Sequence, residues 1–92
     1  MFTTPLREAV TLLGTDIQIE IDDNKLDAQG ADGLYQHELI TLRSSYSDHK
    51  EFRRVYIHEC VHALCDLLGI QLDVHTEEVL AHRISYMIAY EL

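Results

Sequence analysis

A histidine–glutamate motif in the second half of the chain has the residue types and the spacing of a metal site. It reads His58-Glu59-Cys60-Val61-His62, which is the HExxH pattern. In a helix, residues four apart differ by about 40° around the axis, so the two imidazoles can converge on one ion. Glu59 then lies beside that ion, about 100° from His58, where a general base for an activated water is needed. The motif therefore predicts a catalytic zinc site, with His58 and His62 as ligands and Glu59 as the catalytic residue.

The third ligand must come from elsewhere, since a catalytic zinc ion takes three protein ligands and keeps a fourth position for water. The candidates are Cys65, Asp66, His75, Glu77, Glu78 and His82. Cys65 and Asp66 follow the histidines on the same helix, so reaching the ion would strain them, and Asp66 suits a supporting role better. Glu78 is favoured, because its side of the next helix carries mostly small residues that permit close helix packing. Glu77 points about 100° away from Glu78. Both acids are alternatively explained as charges that complement the N-terminus of a helix, and His75 stays open as a ligand.

The motif is predicted to lie on a long helix over residues 48–68. Asp48, with Glu51 three residues later, forms a capping box, and no glycine or proline interrupts the chain before Gly69. The spacing predicts one polar face that carries the site and one apolar face that belongs to the core. The expected core residues of this helix are Ile57, Cys60, Val61, Leu64, Leu67 and Leu68.

The first half of the chain is predicted to hold a short helix followed by strands. Apolar residues recur at helical spacing over 5–13, and Pro5 and Gly14 stand where a helix starts and ends. Alternating isoleucines predict a strand over 17–21, and residues 22–33 are rich in turn formers. Residues 34–43 are strand-like, with a break near Gln36-His37, so a sheet of three strands or fewer is expected.

A last helix completes the predicted order of helix, strands, long helix and helix. It is expected to begin at Asp73 or Thr76, to extend to about Tyr90, and to carry Glu78. The fold class is therefore α+β, and the 92 residues are expected to form one domain spanning 1–92.

Composition narrows the classes of protein to which the chain can belong. It is 47% hydrophobic and 25% charged, which is an ordinary globular profile, and its formal net charge is −9. The negative electrostatic potential of such a chain repels nucleic acid and anionic membranes, so neither is an expected partner. No signal peptide or membrane span is recognisable. Cys60 and Cys65 are too far apart along one helix to form a disulfide, so a cytoplasmic protein with reduced thiols is expected.

Two motifs together resemble the HExxHA…ExxA arrangement of the ImmA/IrrE-type zincin metallopeptidases of bacteria and phages. They are His58-Glu59-Cys60-Val61-His62-Ala63-Leu64 and, sixteen residues after His62, Glu78-Val79-Leu80-Ala81. The order of elements in that family covers nearly the whole chain, while the likeness at residue level rests on these two motifs. The resemblance implies a zincin-like fold and a gluzincin site with His58, His62 and Glu78 as ligands of one zinc ion and Glu59 as catalytic acid/base.

The chain departs from that family at two places. His82 stands where asparagine is usual, and Cys60-Val61 replaces the more familiar residues of HELGH. A SprT-like zincin, whose third ligand is a histidine, is the nearest alternative, and His75 would then bind the metal.

The expected function is hydrolysis of peptide bonds in a cytoplasmic protein substrate by zinc-activated water, with Glu59 moving the proton. The substrate is expected to extend along the sheet edge, at Leu39–Arg43 if that strand is outermost. Candidates for stabilising the oxyanion are Tyr46, Tyr56, His75, His82 and Tyr86. The alternatives are a non-catalytic binding or regulatory module that keeps a structural metal or only the fold, and a helical interaction protein without metal. A protein partner or a second copy of the chain stays open as an addition to the site.

Overall fold

A computed structural model describes residues 1–92, which fold as an α+β structure of small sheets and three α-helices. The elements in chain order are β1 (Phe2–Thr3), β2 (Ala9–Leu12), β3 (Thr15–Ile21), α1 (Asp23–Gln29), β4 (Gly33–Gln36), β5 (Leu39–Leu42), β6 (Ser45–Tyr46), α2 (His49–Leu67), α3 (Val74–Tyr86) and a final π-helical turn (Met87–Glu91). None of the helices combines the length and the apolar character that crossing a bilayer requires.

The main sheet has four strands in the order β2-β3-β5-β4, so the expectation of three or fewer is wrong. β3 and β5 run parallel, and the two outer pairs are antiparallel. The short strands β1 and β6 pair with each other in a separate ribbon. β4 is an edge strand of the main sheet, and α2 packs against it. This arrangement places an open strand edge beside the helix that carries the HExxH motif.

The helix predicted over 5–13 does not form. Its second half is β2, which joins β3 through a turn of Leu13 and Gly14, with φ of 49° and 80°. Two successive residues with positive φ suit the twist of a tight hairpin. Gly14 therefore closes a hairpin where a helix C-terminus was expected, and Val10 and Leu12 pack against the core of the sheet.

The turn-rich segment 22–33 contains a helix that was not predicted. Asp22 caps α1 by accepting a hydrogen bond from the backbone N–H of Lys25, and Gly30 ends it with φ of 63°. Leu26 is fully buried and anchors the helix. Asp22 and Gly30, which were predicted to form turns, thus cap the two ends of α1. The break expected near Gln36-His37 is a tight turn at His37–Glu38 that separates β4 from β5.

Helix α2 lies between the sheet and α3, and it therefore buries two separate stripes of residues. One stripe packs on the sheet through Phe52, Val55 and Ala63. The other packs on α3 through Val61 and Cys65. The single apolar face expected from the sequence is wrong. Of the residues assigned to it, only Val61 is buried, while Ile57, Cys60, Leu64 and Leu67 are half-buried and Leu68 is exposed.

Candidate metal centre

Helix α2 presents both histidines of the motif because it runs unbroken for 19 residues. The Asp48 side chain caps it as predicted, by accepting a hydrogen bond from the backbone N–H of Glu51 at 2.8 Å. His58 and His62 lie one turn apart, with 5.0 Å between ring centroids and 63° between ring planes. The angular stagger expected from the spacing is therefore realised, and the two rings face one side of the helix.

Helix α3 brings Glu78 to the two imidazoles, as the sequence predicted. Asp73 caps the helix by accepting from the backbone N–H of Thr76, and the small residues Ala81 and Ser85 are fully buried on its inner face. Since these side chains are short, Glu78 can reach across to α2. Its Oε1 lies 2.8 Å from His62 Nε2, and its Oε2 lies 3.2 Å from His58 Nε2.

The three side chains have the spacing of a metal site. The ligand atoms of His58, His62 and Glu78 all lie within 4.8 Å of one another. Ligands at about 2.0–2.1 Å from a tetrahedral zinc ion are about 3.3 Å apart, which is close to the two imidazole–carboxylate distances. Two imidazoles and one carboxylate are donors that zinc prefers. The residues therefore fit a single divalent ion with one coordination position left for another group.

Glu77 contacts His62 directly, contrary to the expectation that it points away from the site. Its Oε2 lies 2.6 Å from His62 Nδ1. With a proton on Nδ1, His62 donates to Glu77 and keeps the lone pair of Nε2 for a metal ion. The first turn of α3 therefore supplies two acids to one imidazole, one on each ring nitrogen.

His58 lacks a comparable support. Its Nδ1 is buried and has no hydrogen-bond partner. Burial lowers the pKa of His58, and the Glu78 carboxylate partly opposes this shift. A buried neutral imidazole is suited to binding a cation through Nε2. The two histidines thus differ, because only His62 has its ring orientation set by an acid.

Glu59 lies on the sheet side of α2, beside the two histidines. It is 7% exposed, and burial raises its pKa to about 7. Edge strand β4 approaches it at Gly33, where a larger side chain would not fit without movement of its neighbours. A Cβ added there would lie 3.2 Å from Glu59 Oε2 and 2.6 Å from Val55 Cγ1. The absence of a side chain at Gly33 therefore keeps room for the Glu59 carboxylate.

The histidines, Glu59 and the acids of α3 line one cleft of about 430 Å³. Its other wall is the segment 31–35, which includes most of β4. The strand expected at the edge, Leu39–Arg43, is wrong: β5 pairs on both sides, and β4 is outermost. Tyr35 ties β4 to α2, because its hydroxyl donates to Asp66 Oδ2 at 2.6 Å. Asp66 thus holds the cleft wall, and it forms no hydrogen bond with His58 or His62, which it was expected to support.

The remaining candidates from the sequence lie outside the cluster. His75 and His82 are exposed and do not belong to the group formed by His58, His62 and Glu78. Tyr46 is buried and donates to the carbonyl of Asp32. Tyr56 and Tyr86 do not line the cleft either. None of the five side chains predicted as candidates for stabilising an oxyanion lines the cleft.

Cys60 and Cys65 are free thiols, as predicted. Cys65 is buried against α3, and burial raises its pKa with the help of the nearby Glu77. Burial also raises the pKa of Cys60 to about 12. Both thiols therefore act as packing residues.

Several cleft residues were not identified from the sequence. Arg54 lies one turn before His58, a relation that helical spacing could have revealed. Gly33 and Tyr35 belong to β4, and only the tertiary structure shows that this strand meets α2. The prediction that Glu77 points away from the site is wrong, because helical spacing alone does not give the angle at which α3 crosses α2.

Comparisons with known proteins add no relative to this picture. No protein family matches the chain, and no curated protein or solved structure matches it either.

Proposed function

We propose that this chain is a zinc-dependent metallopeptidase of minimal zincin-like fold that hydrolyses peptide bonds of a protein substrate. His58, His62 and Glu78 hold one zinc ion, and Glu59 is the catalytic acid/base. The observation that carries the proposal is that the Glu78 carboxylate lies between the Nε2 atoms of the two histidines, at 3.2 and 2.8 Å. The unpaired thiols of Cys60 and Cys65 favour a cytoplasmic location as part of this proposal.

The chemistry divides between the ion and the side chains. When bound, zinc polarises a peptide carbonyl and makes a water molecule more acidic. Glu59 takes the proton of the attacking water on a carboxylate oxygen and later delivers it to the leaving amine. Glu77 holds the proton on His62 Nδ1 through their 2.6 Å contact. Burial of Glu59 between α2 and β4 limits competing water around its carboxylate.

Edge strand β4 is the surface along which the substrate is expected to align. Only one side of β4 pairs, with β5, so backbone groups on its other side are free for an extended peptide. Gly33, Leu34 and Tyr35 of this strand line the cleft that holds Glu59. A peptide added to β4 would therefore pass the two histidines with its backbone in a defined register.

A structural metal site is the main competing function, and the ligand set argues against it. Structural zinc sites are usually closed by a fourth protein ligand. Only three residues converge here, since His75 and His82 stay outside the cluster. A structural site would also not need the buried carboxylate of Glu59 beside it.

The first experiment is elemental analysis of protein purified without chelators. We expect near-stoichiometric zinc in the wild type and in Glu59→Gln, and loss of zinc in Glu78→Gln. The exposed Glu91→Gln variant is the matched control, because it removes one charge far from the ligands. Zinc retained in Glu78→Gln, or no zinc in folded wild-type protein, would refute the ligand set.

Peptidase activity is then tested on a pool of denatured proteins, with mass spectrometry of newly formed peptide termini. We expect new termini with the zinc-loaded wild type and none with Glu59→Gln, although that variant keeps its metal. Equal cleavage by both proteins would exclude Glu59 as the acid/base. Absence of cleavage by a metal-loaded wild type, across folded and unfolded substrates, would favour the structural function.

A further inference from the structure

A second concave surface lies on the opposite side of α2 from the metal cleft. We call it the back groove; it is formed between α2 and the segment before β2, and its volume is about 290 Å³. Its lining residues are Pro5, Arg7, His49, Phe52, Arg53, Tyr56, Ile57 and Cys60. None of them lines the metal cleft. A ligand in the back groove would therefore contact neither His58 nor His62, and its binding can be measured independently of the metal cleft.

The back groove collects positive charge that the chain leaves without acid partners. The protein has 16 acidic residues against 7 lysines and arginines. Lys25, Arg43 and Arg54 each lie within ion-pair distance of a carboxylate. Arg7, Lys50, Arg53 and Arg83 form no such pair, although acids outnumber bases by more than two to one. Of these four, Arg7 and Arg53 line the back groove together. Two unpaired arginines in one groove of an acidic protein point to an anion supplied from outside.

The floor of the back groove is apolar and aromatic. Phe52 is 8% exposed, and its ring meets that of Tyr56 edge-on at a centroid distance of 5.6 Å. Ile57 and Cys60 are half-buried beside them. Burial raises the pKa of Tyr56, and the neighbouring Arg7 partly opposes that shift. Apolar walls with a few charged groups at the rim are typical of small-ligand sites.

These features together define the chemistry of the ligand. The guanidinium fork matches a carboxylate in a bidentate pair. The apolar floor favours a ligand with a hydrocarbon or aromatic body, and the groove volume of about 290 Å³ matches a small one. The net charge of −9 opposes ligands with several negative charges. A singly charged acid satisfies all of these conditions better than a phosphate or a polyanion.

We propose that the back groove binds a small monocarboxylic acid with an apolar or aromatic body. Its carboxylate lies between Arg7 and Arg53, and its body lies against Phe52 and Tyr56. The site does not depend on the proposed peptidase function, because the two clefts share no residue.

The test uses 4-phenylbutyrate as the probe, titrated into chelator-treated protein so that its carboxylate cannot bind a metal ion. Binding is followed by calorimetry and by NMR shifts of groove residues. We expect 4-phenylbutyrate to bind at least ten-fold more tightly than 4-phenylbutylamine, which carries the opposite charge on the same body. We also expect inorganic phosphate to bind more weakly than the acid. Equal binding of acid and amine, phosphate binding as tight as the acid, or no binding of the acid would each overturn the proposal.

Arginine variants locate the carboxylate. Arg53→Gln and Arg7→Gln are each expected to weaken 4-phenylbutyrate binding about ten-fold, which corresponds to about 1.4 kcal/mol. Arg83→Gln is the matched control, because this exposed arginine of α3 does not line the back groove. Circular dichroism verifies folding, and Arg7 lies outside any helix or strand, so its variant is informative even if Arg53→Gln unfolds. Unchanged affinity in folded Arg7→Gln, or an equal loss in Arg83→Gln, would overturn the assignment.

Discussion

The contact between Glu77 and His62 makes the most specific prediction about the metal site. Glu77 Oε2 lies 2.6 Å from His62 Nδ1, whereas Nδ1 of His58 has no partner. An acid at this position orients the imidazole, fixes the proton on Nδ1 and makes Nε2 a better donor to a metal. Removing the acid should therefore weaken metal binding without removing a ligand.

The size of the effect follows from what each substitution leaves in place. Loss of an acid that supports a metal-bound histidine typically weakens metal binding by about 10–100-fold, or about 1.4–2.7 kcal/mol. Glu77→Gln keeps a carbonyl oxygen that can accept from Nδ1 and loses only the charge, so we expect a loss of about ten-fold, at the low end of the range. Glu77→Ala removes the acceptor as well, so we expect a loss closer to 100-fold.

Zinc affinity is measured by competition with a chromophoric chelator at fixed pH and ionic strength. Glu91→Gln is again the control, because removing any acid from a chain of net charge −9 slightly weakens its attraction for cations. Glu77→Ala binding zinc as tightly as Glu91→Gln would refute the positioning role. A Glu77→Gln variant that loses zinc as completely as Glu78→Gln would show instead that Glu77 is itself a ligand.

Three further predictions concern the scaffold and the thiols. Gly33→Ala is expected to destabilise the fold by about 1–3 kcal/mol, because the added Cβ would lie 2.6 Å from Val55 Cγ1. Urea unfolding measures this loss, and an unchanged urea midpoint would show that β4 moves freely. Asp48→Ala should cost about 1 kcal/mol by removing the cap of α2, and it should leave zinc affinity nearly unchanged. Cys60 and Cys65 should react slowly with a thiol reagent at neutral pH in the native state, because both pKa values are raised, and rapidly in denaturant.

The convergence of His58, His62 and Glu78 could be predicted because it depends largely on local geometry. The stagger of His58 and His62 is set by the helix alone, and the caps Asp48 and Asp73 are coded within four residues of each helix start. Glu78 required one additional inference, that small residues mark the inner face of α3. The burial of Ala81 explains why this inference succeeded.

The first half of the chain was harder to interpret because its local signals are ambiguous. The spacing of Val10 and Leu13 fits a helix, but positive φ at Leu13 and Gly14 forms a hairpin that brings β2 onto β3. Asp22 and Gly30 are as common in turns as at the two ends of a short helix. Tertiary packing decides between these alternatives, here through the complete burial of Leu26. The residues next to Leu26 in the sequence do not show that it will be buried, so the helix could not be predicted from them.

The position of Glu59 links the fold to the proposed chemistry. A carboxylate that is 7% exposed in a small protein carries a desolvation cost, which appears as its raised pKa. No cation forms an ion pair with it, and the nearest strand residue is Gly33, whose missing side chain avoids a clash. A purely structural centre made from His58, His62 and Glu78 gains nothing from this arrangement, since a leucine at position 59 would pack at lower cost. A buried acid next to three converging side chains therefore favours catalysis over structural metal binding. The Glu59→Leu variant tests this directly. We expect a protein that is more stable than the wild type, keeps zinc and has no peptidase activity.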